Sequence, residues 1–428
     1  MNGEGLMFST MKQCTDFIFQ LRASQYKGEP LQSARILLKA LGNPEKKSKF
    51  IHIAGSNGKG STLNATREIL MAHGLTVGAF ISPHLERPNE RVTINKVQIT
   101  DEAFLRYANQ IASAVELELD GKFPSFFEFM TLIGFLHFAN EEVDIVVLET
   151  GIGGRLDSTN VITPEVSIIT TISLEHTAML GNTYELIAAE KAGIIKEGKP
   201  VVIGVKNLAA REVIKVYASK MNAEAFVLGE QITIKPHSNQ TFDYAANTNY
   251  ANLKLAMAGL HQMENAALSI TACQFVLGEL EEDKLRDALL NAIWEGRFEQ
   301  PLEQVILDGA HNSEGTSAMI ETLKSVYPNK NYHFIYAAMA DKDHAQSIEL
   351  MDNVATSISF TQINVPNAKS AEQLYALSSN PSKQFTSNWQ ALISMFLRNK
   401  GEQDVIVITG SLYFIGEARQ FLQQGEWK

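Results

Sequence analysis

A β-rich run, Phe50–Ala54, opens directly into Gly55-Ser56-Asn57-Gly58-Lys59-Gly60-Ser61-Thr62 and then into a helical pattern. Glycines at such a junction let backbone N–H groups approach an anion closely, and the start of a helix adds positive potential. The chemistry implied is phosphate binding. Lys59 supplies a full charge, and Ser61 or Thr62 faces a cation or a phosphate oxygen. The spacing departs from the usual G-x-x-x-x-G-K-[ST] pattern, because Ile53 stands where the first glycine would fall and Gly60 follows the lysine. An ordinary glycine-rich strand-to-helix turn is the competing reading, and the strand–loop–helix context weighs against it.

Further groups with chemical potential stand just beyond other apolar runs. Glu149 closes Val143–Glu149, His176 follows Val166–Ile172, and Asp308 and His311 follow the run ending at Leu307. In an open parallel sheet, ligands collect at the carboxyl ends of strands, and a carboxylate there suits a hard cation bridging phosphates. Each residue also has a plainer role open to it. Glu149 could cap a helix, His176 and His311 could be satisfied loop histidines, and Lys191, in a helical pattern, could be an exposed helix lysine.

The loop Gly55–Ser61 resembles that of the folylpolyglutamate synthases, relatives of the Mur ligases of cell-wall synthesis. The resemblance runs through Ser82-Pro83-His84-Leu85, Asn89-Glu90-Arg91, Glu149 to Asn160, Glu190-Lys191-Ala192-Gly193-Ile194, His261 to Ala266, Gly296-Arg297-Phe298-Glu299, Asp308-Gly309-Ala310-His311-Asn312 and Thr409-Gly410-Ser411-Leu412. It covers nearly the whole chain, in family order, and points to the dihydrofolate synthase/folylpolyglutamate synthase family. The activity it implies is phosphorylation of a folate or dihydropteroate carboxylate by ATP, followed by attack of the L-glutamate amine on the acyl phosphate, releasing ADP and phosphate.

That resemblance also implies roles. Asn57, Gly58, Lys59, Gly60, Ser61, Asn265, Arg297 and Asp308 would contact ATP. Ser82 and Glu149 would hold one Mg²⁺. His176 would help hold a second, together with Lys191 carrying a carbamate, an anionic oxygen donor. Lys59, Lys191 and His311 would be catalytic, with His311 organising the transferred phosphoryl group or the incoming glutamate. Ser125, Leu156, Asp157 and Ser158 would bind substrate. Ser411, again between an apolar strand and a helix, is a candidate glutamate contact. With ATP contacted from both domains, closure around the acyl phosphate is expected.

The elements that position these residues read as an α/β protein. Runs Phe50–Ala54, Thr76–Phe80, Val143–Glu149, Val166–Ile172 and Pro200–Val205 alternate with helical stretches such as Ser61–His73 and Ser125–Asn140. That alternation predicts a large P-loop nucleotide-binding domain with a mostly parallel sheet. Ser125-Phe126-Phe127-Glu128 reads as a capping box. From about Ala223 to Met257 the pattern suggests a β-rich flap, and helical patterns resume from His261 to Ala292. A second alternation, with strands Gln304–Leu307, Tyr332–Ala337, Ser357–Ile363 and Asp404–Thr409, predicts a smaller Rossmann-like C-terminal domain. The boundary falls near Gly296–Pro301, giving domains 1–297 and 298–428 with a cleft between them.

Three departures from the family pattern stand out. Lys27–Ser33 keeps little of a segment that contacts the pterin in the family, Glu175 replaces an aspartate before the metal histidine, and Ser313 replaces a proline, where it is expected to cap a helix. A Mur-type ligase of cell-wall precursors is the nearest alternative. The lack of a separate N-terminal domain for a nucleotide sugar argues against it. A non-catalytic ATP-binding paralogue would be expected to lack Glu149, His176 or Lys191, and all three are present.

Composition narrows the rest. The 428 residues are 45% hydrophobic and 20% charged, as in ordinary globular chains. A net charge of −11 argues against broad nucleic-acid binding, which needs a basic face. No window approaches the roughly 18 uninterrupted apolar residues of a membrane span, and Met1–Gln20 lacks a basic region followed by an apolar run. The expectation is a cytoplasmic monomer without a membrane partner, its two cysteines, Cys14 and Cys273, buried as free thiols.

Overall fold

The structure, a computed structural model, describes residues 7–340, 344–365, 367–425 and 427. The chain forms two compact units. The first comprises Met1–Lys254 with Glu264–Ala292, and the second Leu255–Met263 with Ile293–Lys428. Leu255–Met263 thus groups with the later segment, a non-local association that a linear division at 297/298 does not represent.

The first unit is built on an eight-stranded sheet of β1 (Lys49–Ala54), β2 (Val77–Phe80), β3 (Val92–Ile94), β4 (Val97–Gln98), β5 (Ile145–Glu149), β6 (Val166–Ile169), β7 (Val201–Ile203) and β8 (Ala225–Val227), in the order β4-β3-β2-β5-β1-β6-β7-β8. Six strands run parallel, and β3 and β4 form an antiparallel edge. Parallel strands are covered on both faces and read as continuous apolar runs, which is why β1, β2, β5, β6 and β7 were legible. The short β3–β4 edge carries a 70% exposed Val97 and was not. Sheet order places β1 between β5 and β6, so the carboxyl ends of these three strands lie side by side at a topological switch point.

The stretch expected as a β-rich flap divides. β8 joins the large sheet, while β9 (Thr233–Pro236), β10 (Thr241–Ala245) and β11 (Asn249–Lys254) form their own antiparallel sheet. Helix Phe126–Asn140 is buried from Glu128 to Ala139, which fits its near-complete run of apolar residues. Its N-cap is Ser125, accepting from the Glu128 N–H at 3.3 Å. The reciprocal half of the expected capping box is not formed among the described residues, and Glu128 Oε1 instead accepts from Ser33 Oγ at 2.6 Å.

The second unit holds six strands, β12 (Glu299–Leu302), β13 (Val305–Asp308), β14 (Asn331–Tyr336), β15 (Ser357–Phe360), β16 (Lys383–Phe385) and β17 (Asp404–Thr409), ordered β12-β13-β17-β14-β15-β16. All pair in parallel except β12. The two edges, β12 with Pro301 and the polar β16, lack the apolar pattern that reveals central strands. Cys14 and Cys273 are buried free thiols, and among the described residues no helix is long and apolar enough to cross a membrane.

Candidate active site

The phosphate loop begins where β1 ends. Helix Lys59–Ala72 starts directly after it, with Gly58 as N-cap at φ +86°. A side chain at Gly58 would be strained by that φ, and its Cβ would lie 2.5 Å from Asn265 Oδ1. A Cβ at Gly55 would meet Thr170 Oγ1 at 1.8 Å. The loop is latched to the segment after β6. The Asn57 N–H donates to Thr171 Oγ1 at 2.9 Å, Thr170 Oγ1 donates to the Asn57 carbonyl at 2.7 Å, and the Ser173 N–H donates to Ser56 Oγ at 2.9 Å. β6 stops at Ile169 rather than at Ile172, and beyond it Thr170, Thr171 and Ser173 bond to the loop while Ile172 packs in the core. Thr170, Thr171 and Ser173 were not read as site residues; a hydroxyl run after an apolar strand was the signal available.

Two lysines from different elements converge on one loop carbonyl. Lys59 Nζ donates to the Gly55 carbonyl at 2.9 Å and to that of Ser56 at 3.3 Å. Lys191 Nζ, from helix Tyr184–Ala192, donates to the same Gly55 carbonyl at 3.0 Å. Lys191 is 2% exposed, so the exposed-helix reading of this residue is wrong. A buried ammonium requires a counter-charge, and Glu175 Oε1 supplies it at 3.0 Å. Burial alone would raise the Glu175 carboxyl, but Lys191, Lys59 and a hydrogen bond from Ser56 hold it below the usual range. Burial pulls the Lys191 amine down, and Lys59 adds to that, against the opposing pull of Glu175. Glu175 was noticed in the sequence only as a replacement for aspartate. Its neighbour His176 sits in a left-handed turn at φ +47°, at the start of helix Thr177–Leu180.

Glu149, 4% exposed at the end of β5, accepts from the Ser82 N–H at 3.1 Å and lies 3.9 Å from Lys59 Nζ. Beside it, the buried Thr150 Oγ1 makes no hydrogen bond among the described residues. An all-oxygen donor set of carboxylate and hydroxyls suits a hard cation. Among the described residues no group of three or more His, Cys, Asp or Glu side chains forms a metal cage.

The loop from Thr150 to Asn160 folds around Asp157. Its Oδ2 accepts from the Gly151 and Ile152 N–H groups at 2.8 and 3.1 Å, and its Oδ1 from Thr159 N and Oγ1 at 3.0 and 2.5 Å. Burial raises this carboxyl while these donors oppose the shift. Both oxygens are occupied inside the loop, so Asp157 shapes the loop rather than offering a free carboxylate to a ligand. Leu156, 47% exposed, and Ser158 lie outside that interior. Ser125, named with them in the sequence, serves as a helix N-cap.

In the second unit, Asp308 ends β13 and accepts from the Phe298 and Ala310 N–H groups, both at 2.9 Å. Burial raises its carboxyl, and the Arg297 guanidinium opposes this. A Cβ at Gly309 would lie 2.3 Å from Arg297 Nη1, so the glycine makes room for the guanidinium beside Asp308. His311 Nδ1 is 2.8 Å from the Gly309 carbonyl. A carbonyl only accepts, so Nδ1 carries the proton and Nε2 of a neutral ring is the acceptor. The N-cap of helix Ser313–Val326 is Asn312, accepting from the Gly315 N–H at 2.8 Å, and not Ser313 as expected. Ser313 occupies the first helical position, where proline is also well suited, so the replacement leaves the turn intact. Ser411, 3% exposed, caps helix Leu412–Gln424 by accepting from the Tyr413 N–H.

This pairing of a phosphate loop on a parallel sheet with a separate Rossmann-like unit is that of the Mur-type ligases, ATP-dependent enzymes that join an amino acid to a carboxylic acid. The family model for the Mur ligase middle domain matches residues 53–273, and that for the Mur ligase glutamate ligase domain matches 296–412. The chain is 38% identical to the dihydrofolate synthase/folylpolyglutamate synthase of Bacillus subtilis, over 90% of this chain and 93% of that protein. It is 34% identical to the folylpolyglutamate synthase of Lacticaseibacillus casei, over 91% and 94%. The fold superposes on Escherichia coli FolC in complex with DHPP and ADP with a TM-score of 0.90 at 26% identity, covering 98% and 99% of the two chains. The bifunctional folylpolyglutamate synthase/dihydrofolate synthase of Yersinia pestis complexed with AMPPNP and Mn ion gives 0.89 at 27%, covering 97% and 98%. The chain belongs to the dihydrofolate synthase/folylpolyglutamate synthase family.

Proposed function

We propose that this protein adds L-glutamate to the carboxylate of a folate or dihydropteroate at the expense of ATP, through an acyl phosphate. The observation that carries this reading is the convergence of Lys59 and Lys191 on the Gly55 carbonyl, with Glu149 and Glu175 beside them. Phosphoryl transfer between two anions needs positive charge at the transferring group, which Lys59 and the bound cations would supply. The loop amides and Lys59 would bind the ATP phosphates, with Asn265 packed against Gly58 at the edge of the loop. Arg297 and Asp308 would be further nucleotide contacts, and His311 Nε2 would accept a proton or orient the phosphoryl group or glutamate. Leu156 and Ser158 would face the folate, and the Ser411 hydroxyl hydrogen would serve the glutamate.

Ser82 and Glu149 would hold one Mg²⁺, and His176 with a carbamylated Lys191 a second. Bound there, the cations would neutralise phosphate charge and orient the leaving group. The burial of Lys191 and its lowered amine support the carbamate, because CO₂ reacts with the neutral amine.

Substrate choice is tested by measuring ADP release with dihydropteroate, tetrahydrofolate and a UDP-muramyl peptide, each with and without glutamate. Glutamate-dependent turnover with a pteridine acceptor is expected. Turnover only with the UDP-muramyl peptide would instead mean a cell-wall ligase, and no turnover with any acceptor a non-catalytic paralogue. Glu149→Gln is expected to raise the Mg²⁺ concentration for half-maximal activity by ~10-fold or more, since an amide is a poorer ligand for a hard cation. An unchanged Mg²⁺ titration would take Glu149 out of the metal site.

A further inference from the structure

Strand β1 contains a histidine that the proposed reaction does not use. His52 is 0% exposed, between the apolar Ile51 and Ile53. A buried polar ring costs stability unless it is hydrogen-bonded, and leucine would fill the same place in a strand. Its presence calls for a role beyond packing.

His52 Nε2 lies 2.8 Å from Thr159 Oγ1, which in turn lies 2.5 Å from Asp157 Oδ1. Both Asp157 oxygens accept backbone N–H groups, so the carboxylate is the acceptor end. The threonine hydroxyl therefore donates to Asp157, in the short range of charge-assisted bonds, and receives the His52 Nε2–H. Burial and the nearby Lys196 push His52 down to about 3, so the ring is a neutral donor throughout the working pH range. The far side of the loop is held independently. Asn160 Nδ2 donates to the Gly193 carbonyl at 3.0 Å, and the Arg155 N–H to the Glu190 carbonyl at 2.7 Å, both on the segment that carries Lys191. Fixed at both ends, the loop leaves Ile152 and Leu156 exposed at 39% and 47%.

We propose that His52 is a positioning residue for acceptor binding, holding loop 150–160 in register with the phosphate-loop strand through Thr159 and Asp157. The inference rests on the reading of that loop as a folate contact. The strand that ends in the phosphate loop thereby also sets the conformation of the loop that receives the acceptor, so both reactants are referenced to one rigid element.

The test is steady-state kinetics on the full chain with the pteridine acceptor and ATP varied in turn. His52→Leu and Thr159→Val each break the relay, and His52→Gln restores a donor near the Nε2 position. The acceptor KM should rise by ~10-fold or more in Thr159→Val, which loses a hydrogen bond to a charged group, and by ~3- to 10-fold in His52→Leu, which loses a neutral one. The ATP KM should stay within ~2-fold, and His52→Gln should return close to the parent with the same pH profile. Should His52→Leu fail to fold, Thr159→Val, which removes only an interior hydroxyl, carries the test. An unchanged acceptor KM, a parallel rise in both KM values, or failure of His52→Gln to rescue would overturn the inference. An unmutated chain inactive with every pteridine acceptor would instead overturn the proposed function.

Discussion

Lys59→Ala is expected to lower ligase turnover by at least ~100-fold while leaving the fold and thermal transition close to the parent, the scale of removing one fixed charge from a phosphoryl-transfer site. The side chain is 15% exposed, and its ammonium donates to the Gly55 and Ser56 carbonyls and lies 3.9 Å from Glu149. Little packing is lost with it. What disappears is the positive charge that the loop itself carries. Steady-state turnover with saturating ATP, acceptor and glutamate, set beside circular dichroism and melting curves, makes the comparison. Near-parental turnover would sink the assignment of this loop to the transferred phosphates.

The second large effect is expected at Lys191. If its amine carries a carbamate in the active enzyme, Lys191→Ala should lose activity severely, and acetate, able to occupy the vacated space, should restore part of it. Removing Lys191 also leaves Glu175 buried without its partner, which typically costs ~3–5 kcal/mol. Lys191→Gln separates the two effects. It keeps a polar donor group at the site, leaves Lys59 as the cation near Glu175, and cannot be carbamylated, so it should stay folded and inactive. The pH dependence has a definite sign. A neutral amine and CO₂ give a carbamate and release a proton, so the modification grows as pH rises through the amine's lowered pKa. CO₂-depleted buffer should therefore reduce activity, most on the acidic side, and bicarbonate should restore it. A ¹³CO₂ label detected by NMR reports the carbamate directly. Full activity of Lys191→Gln, or indifference to CO₂ at every pH, would remove the carbamate from the proposal.

The residues differ in how far they could be read before the fold was known. Phe50–Ala54 and the glycine loop carry both period and punctuation: a doubly covered strand is a run of apolar residues, and a loop against an anion site needs glycine where a Cβ would collide. Val143–Glu149 was legible for the same reason, and its last residue became a site candidate from position alone. The burial of Lys191 was not legible. A lysine in a helical pattern is ordinarily solvated, and only the packing of helix Tyr184–Ala192 shows its amine turned onto the Gly55 carbonyl. Family resemblance named the residue; it did not supply its partner, Glu175.

By itself, then, the sequence determined the αβ alternation, the phosphate loop, the chemistry class and the strand ends at which functional groups stand, because periodicity, glycine placement and turn residues are local properties. Tertiary structure decided which of those groups meet. It folded Asp157 inward onto four donors, gave the capping of helix Ser313–Val326 to Asn312, drew Glu128 away from its own helix end to Ser33, and set His52 against Thr159, 107 positions away. Such contacts depend on strand order and on the desolvation of polar groups that must then find partners, and neither is written in any short stretch of chain.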